Sequence, residues 1–240
     1  MKAWAMTTAQ LCVTLIIYML GALFYGAALT PALLLIQKVW GLSAHWPAGL
    51  RVFGLAVTLA LSFFLFGLCL VLLVGLFRAL FRFRLKEGTY PLLSGEGVKW
   101  LFMSSLYLMI HYTFIDFILL TPFANLLFRL LGAKLGKNVQ INSKYIFDAT
   151  LLEIGDNTVI GGGAIINGHM VEGGRLKLKK VKIGRKVTIG SHATVMPGCK
   201  IGDRALIGAS AVLLKNSIVP EKDVWYGIPA ASIRKRNGIQ

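Results

Sequence analysis

Of the four histidines, His45, His111, His169 and His192, one stands where chemistry would need it. His169 lies in Ile166-Asn167-Gly168-His169-Met170-Val171-Glu172, beside a charged stretch, Glu172 to Val181, that interrupts an otherwise regular repeat. A neutral imidazole can take a proton from a hydroxyl or an amine as that group attacks a carbonyl, which is general base catalysis. Asp148 and Asn167 complete the candidate catalytic set. Asp148 has two readings: a carboxylate that holds the imidazole or accepts from an acceptor amine, or a corner residue satisfying nearby backbone N–H groups. His192, in Gly190-Ser191-His192-Ala193, falls at a different corner, so only a neighbouring subunit would bring it to His169. Two histidines in this region are too few for a three-histidine zinc site. Cys12, Cys69 and Cys199 lie far apart with no paired spacing, so neither a metal nor a disulfide is expected.

Positioning these side chains falls to residues 135 to 230, where an aliphatic residue followed by a small one returns every six positions. The frames include Leu135-Gly136, Ile154-Gly155, Ile160-Gly161, Ile183-Gly184, Ile189-Gly190, Ile201-Gly202 and Ile207-Gly208. Such a hexad reads as a β-solenoid: each unit is a short strand plus a corner, the aliphatic residue points into the bore, and the small residue lets the backbone bend. Three units close a triangular coil, so coils are expected to start near residues 135, 154, 183, 201 and 219. Glu153 reads as one extra residue between the first two coils, and Glu172 to Val181 as an excursion loop, where binding residues tend to be placed. On this count Phe147 lies under Ile166, Asp148 under Asn167 and Thr150 under His169.

The first half of the chain has a different character. Residues 1–133 hold 9 Lys/Arg and 3 Asp/Glu against 17 and 7 in residues 134–240, and the 56% hydrophobic content with mean hydropathy +0.68 is a membrane composition. Thr7 to Gln37 and Val52 to Phe77 contain no charged residue, each exceeding the roughly 20 apolar residues that a spanning helix needs. The first stretch is too long for a signal-peptide core, and Pro31 is expected to kink or shorten it. Gly41 to Arg51 reads as a short loop, with Trp40 and Trp46 suited to a membrane interface. Arg78, Arg82, Arg84 and Lys86 directly after the second stretch place that end in the cytoplasm, making 1–89 a transmembrane hairpin. Residues 90–133 are expected to be interfacial or re-entrant helices, with Thr121-Pro122 starting one of them. His111 and Asp116 there read either as a functional ionisable pair or as interfacial polar residues. Residues 134–232 form the repeat domain and 233–240 a basic tail. A net charge of +16 without interleaved aromatics points to anionic membrane lipids as partner and away from nucleic acid.

The hexads, the excursion after His169 and the closing Trp225-Tyr226-Gly227-Ile228-Pro229-Ala230 resemble the hexapeptide-repeat acyltransferases. That resemblance implies an all-β left-handed parallel β-helix following the helical membrane region, a homotrimer, a thioester donor and His169 as the catalytic base. It also implies a donor cleft with Ser191, Ala209, Ser210, Lys215, Pro229 and Arg234. Ala231 departs from the family pattern, where sugar acetyltransferases usually carry arginine; this weakens the nucleotide contact and admits a carrier protein's phosphopantetheine arm beside CoA. More narrowly, Tyr90-Pro91-Leu92, Thr121-Pro122-Phe123-Ala124-Asn125-Leu126-Leu127 and Leu130-Leu131-Gly132-Ala133-Lys134-Leu135-Gly136 resemble the membrane-linked C-terminal domains of poly-lysine and related peptide synthetases.

The expectation is a multi-pass inner-membrane acyltransferase with its repeat domain in the cytoplasm. It would move an acyl group from acyl-CoA or acyl-phosphopantetheine, neither permanently bound, to a hydroxyl or amine of a membrane-associated acceptor. An amide-forming transferase on carrier-tethered aminoacyl groups and a non-catalytic assembly platform are the alternatives.

Overall fold

The computed structural model describes residues 3–233, so Arg234 and the rest of the basic tail lie outside the described residues. The chain divides into two compact units, one of residues 1–77 with 105–113, the other of residues 78–104 with 114–240.

In the first unit the two uncharged stretches form α1 (Ala3–Leu42) and α2 (Ala48–Leu80), both long and apolar enough to cross a membrane. Pro31 sits inside α1 without ending it: the helix runs on to Leu42. The expected loop shrinks to a 3-10 turn, Ser43–His45, with Trp46 and Pro47. Antiparallel return is fixed by contacts such as Tyr25 stacked on Phe66 and the edge of Phe24 against Phe77. Small or β-branched residues, Thr58, Ser62, Gly67, Val71 and Gly75, line the buried face of α2. Leu15, Tyr18, Leu59 and Leu61 are among the large apolar side chains left exposed.

The second unit holds the repeat. Three parallel sheets build it, each strand paired with the strand one coil away: Leu135, Ile154, Ile183, Ile201 and Val219 stack on one face, and Ile141, Ile160, Ile189, Ile207 and Trp225 on the next. The third face stacks Ile166, Val195 and Leu213, all fully buried. The five coil starts expected from the hexads match the first of these columns.

Two details differ from the expectation. Gly155, Gly184 and Gly202 have no positive φ; the left-handed corner residues are Asn157, Lys186, Arg204 and Lys222, with φ between 55° and 60°. The glycines serve close approach: a Cβ on Gly155 would lie 2.7 Å from the carbonyl carbon of Gly184, and one on Gly202 2.6 Å from the amide of Glu221. Second, Ile146, not Phe147, bridges Ile166, and Glu153 is no insertion but pairs in register with Lys182. The surplus length is taken up by a 3-10 turn, Ala149–Leu151, entered through Asp148 in the left-handed conformation (φ 59°).

Preceding the solenoid are the strand Gly88–Pro91, α3 (Gly95–His111) and α4 (Pro122–Leu130). Thr121 caps α4 as expected, its hydroxyl accepting from Phe123 N at 3.2 Å with Pro122 in the first turn. The excursion is a β-hairpin, His169–Glu172 and Arg175–Leu178, turning at Gly173-Gly174, both with positive φ (58° and 69°) as a tight two-residue hairpin turn requires. Gly88–Pro91 adds to its outer edge as a third antiparallel strand. Leu176 and Leu178 of the hairpin bury against Leu85 and Leu151, with Tyr90 and Trp100 packed around them.

Candidate active site

His169 is the first residue of the hairpin, where the chain leaves the solenoid. Its Nδ1 lies 2.5 Å from Oδ2 of Asp148, whose side chain is 1% exposed while that of His169 is 24% exposed. The left-handed turn at Asp148 makes this possible by pointing a residue of the preceding coil up at Gly168 and His169. Gly168 N also donates to Oδ2 at 3.0 Å, and Trp100 Nε1 donates to Oδ1 at 3.0 Å. A carboxylate only accepts, so the proton between His169 and Asp148 belongs to Nδ1 and the lone pair is left on Nε2. The Trp100 ring packs on the imidazole at 4.8 Å between centroids, and Phe147 meets its edge at 6.5 Å. The site therefore holds one imidazole in one tautomer, oriented by a buried carboxylate and two aromatic walls, with its outer edge open.

The coil count placed Asp148 under Asn167 and Thr150 under His169; the Ile146 register instead brings Asp148 to Gly168 and His169, and Thr150 accepts from Leu85 N at 3.2 Å. Asn167 stands two residues before His169 with Oδ1 buried and without a hydrogen-bond partner among the described residues. Trp100 escaped the sequence reading. A half-buried indole N–H demands an acceptor, which is a signal, but its partner is 48 residues away and nothing near Trp100 names it.

The residues expected to hold the donor do not share one place within the chain. Ser191, Ala209, Ser210 and Pro229 lie exposed along one edge of the prism, Ser210 N donating to the Ser191 carbonyl at 2.9 Å. His192 shares that edge. Lys215 lies on another edge, beneath the hairpin, with Nζ 2.7 and 2.9 Å from the carboxylate oxygens of Glu172. Hydrogen bonds from Lys177 and then Lys215 hold the Glu172 carboxyl at about 2. His111 is buried, with ring contacts to Tyr107 and Tyr112, and the exposed Asp116 meets Lys144 at 2.7 Å. Among the described residues no cluster of three His, Cys, Asp or Glu side chains could hold a metal. Cys199 is buried, its thiol pushed up by desolvation.

The family model for the bacterial transferase hexapeptide (six repeats) matches residues 180–215. A delta-poly-L-ornithine synthetase of Acinetobacter baumannii (strain AB307-0294) is 29% identical over 120 residues, covering 50% of this chain and 9% of that protein. The galactoside O-acetyltransferase of Escherichia coli (strain K12) is 33% identical over 116 residues, 42% of this chain and 56% of that one. A provisionally named acetyltransferase, YvoF, of Bacillus subtilis (strain 168) is 33% identical over 127 residues, 50% of this chain and 73% of its own length. Repeat, sheet architecture and relatives define one class, transferases built on hexapeptide repeats. The chain belongs to the hexapeptide-repeat acetyltransferase family. It spans 9% and 56% of the first two of these relatives.

Proposed function

We propose that the protein is an acyltransferase with His169 as general base. The observation that carries this is the buried Asp148 carboxylate fixing the imidazole through Nδ1, itself fixed by Trp100 and the Gly168 amide. Nε2 takes the proton of an acceptor hydroxyl or amine as its oxygen or nitrogen attacks the thioester carbonyl. The C–S bond then breaks, and the imidazolium returns the proton to the leaving thiolate. Asp148 stabilises the imidazolium that forms between these steps. Acyl-CoA, or an acyl group on a carrier protein's phosphopantetheine arm, is the donor. Asn167, whose buried Oδ1 has no hydrogen-bond partner among the described residues, is read as a further polar group of this site.

The solenoid is read as a left-handed β-helix that works as a homotrimer, because His169 and the Ser191, Ala209, Ser210 and Pro229 edge lie on different edges of one chain and would face each other only across a subunit boundary. α1 and α2 are read as a membrane hairpin in an inner membrane, their exposed apolar side chains meeting lipid, with the repeat domain cytoplasmic and the acceptor drawn from the membrane. A second reading, amide formation on carrier-tethered aminoacyl groups, is supported by the half of the chain shared with the polyornithine synthetase. His169→Ala in the cell tests the enzyme reading. Mass spectrometry of membrane lipids and surface polymers should find the acylated product lost with the substitution as with deletion. A product that survives His169→Ala but not deletion makes the protein an assembly platform.

A further inference from the structure

A cleft of about 580 Å³ opens beside the hairpin, and its charge is one-sided: Lys179, Lys180, Lys182 and Lys200 line it against the single carboxylate of Glu87. Glu87 is engaged by Lys180, at 3.2 Å to its backbone N and 3.3 Å to Nζ. Lys179 Nζ donates to Asn216 on the cleft wall at 2.7 Å. Lys182 reaches Glu153 only at 3.8 Å, and Glu153 already holds Lys134 at 2.9 Å. Lys200 pairs with no carboxylate among the described residues. Lys182 and Lys200 are Cα partners in adjacent coils, so their side chains project in parallel about 4.8 Å apart at the backbone. Like charges placed directly opposite each other destabilise a sheet, and an anion seated between them removes the repulsion.

The cleft also has a fixed relation to the imidazole. Gly88, Leu178 and His169 stand in one row across the three-stranded sheet, Leu178 being the Cα partner of both others. Leu178 and Gly88 line the cleft, so its wall begins about one strand spacing, roughly 5 Å, from His169 and extends at Gly88 to about two, roughly 10 Å. That is the separation between a phosphate and a nucleophilic group on an adjoining sugar- or glycerol-sized unit. It does not coincide with the edge carrying Ser191, Ala209 and Ser210.

We propose that this cleft seats a phosphate group of the acyl acceptor, making the acceptor a phosphate- or diphosphate-bearing molecule whose hydroxyl or amine reaches Nε2 of His169. The inference rests on the His169 reading for its reaction, but not for its binding site. The test covers both sources of the phosphate, a lipid headgroup or a soluble molecule, with inorganic pyrophosphate as the probe and the full-length protein in nanodiscs.

In phosphatidylcholine discs the protein should bind pyrophosphate saturably by calorimetry, and Lys182→Gln with Lys200→Gln should weaken that binding by about tenfold or more. Both lysines are exposed and their neutralisation relieves a like-charge pair, so the melting temperature should not fall, which reports that the fold is intact. In discs containing phosphatidate, weakened pyrophosphate binding by the unsubstituted protein would assign the cleft to lipid headgroups, and unchanged binding to a soluble phosphate; both support the site. His169→Ala should bind pyrophosphate like the unsubstituted protein, so failure of the base assignment and failure of the cleft are told apart. Absence of saturable binding in phosphatidylcholine discs, or equal binding by the double variant, would overturn the proposal.

Discussion

The indole of Trp100, in α3, donates to Asp148 Oδ1 at 3.0 Å and so fixes a carboxylate 48 residues further along the chain. Asp148 in turn holds Nδ1 of His169, so an element outside the repeat sets the orientation of the proposed base. Trp100→Phe keeps the ring against the imidazole but deletes the N–H. A hydrogen bond to a charged group is worth about 1.5–3 kcal/mol, so kcat should fall by about ten- to a hundredfold with the KM for the donor unchanged. An equal loss in Trp100→Phe and Trp100→Ala would mean that the N–H alone matters; no loss in Trp100→Phe would contradict the role given to the N–H.

Asp148→Asn tests the tautomer. An amide can present an N–H to Nδ1, which moves the imidazole proton to Nε2 and leaves no lone pair facing the acceptor. Turnover should drop by about 10³–10⁴-fold, as for a triad that has lost its carboxylate, while the melting temperature moves little. If the variant keeps near-full activity, Asp148 is the corner residue of the blander reading.

Glu172 gives a pH prediction. Its folded-state carboxyl value, about 2, lies below the ordinary 4.5, so its ion pairs with Lys177 and Lys215 stabilise the hairpin fully above about 4.5 and fade as pH falls through about 2. The group is exposed and solvent-screened, so the readout is its own titration. Carboxyl NMR on the labelled protein should place the midpoint near 2; a midpoint near 4.5 would show that the hairpin tip is not clamped to the coil below it.

The coil-to-coil glycines give a stability prediction. Gly184→Ala puts a Cβ 2.8 Å from the backbone N of Asp203, and overpacking of this kind costs about 1–3 kcal/mol. Gly162→Ala meets nothing nearer than 3.4 Å and should be close to neutral. Comparable losses in thermal stability for both would contradict the tight inter-coil spacing.

Much of this was legible beforehand. A six-residue period is a local signal, so the five starting positions of the coils, the excursion at His169 and the cap at Thr121 could be read directly. Failures came where distant contacts decide. The left-handed turn at Asp148 and the shift to Ile146 depend on the Gly168 amide and the Trp100 indole, neither of which periodicity reports. The period suggests a bend at Gly155 and Gly202, whereas the neighbouring coil, not their own φ, demands glycine there.

Subunit geometry is open to mass measurement in nanodiscs. The account expects a homotrimer, since the proposed base and the Ser191 edge lie apart within one chain. A stable monomer with full turnover would contradict that arrangement.

The most direct measurement is transfer of a radiolabelled acetyl group from acetyl-CoA into membrane acceptors by the purified full-length protein in nanodiscs, with and without His169→Ala. The account predicts that the substitution lowers kcat by about 10²–10⁴-fold while donor affinity stays unchanged. Undiminished transfer by His169→Ala would contradict the general-base assignment and, with it, the proposed mechanism.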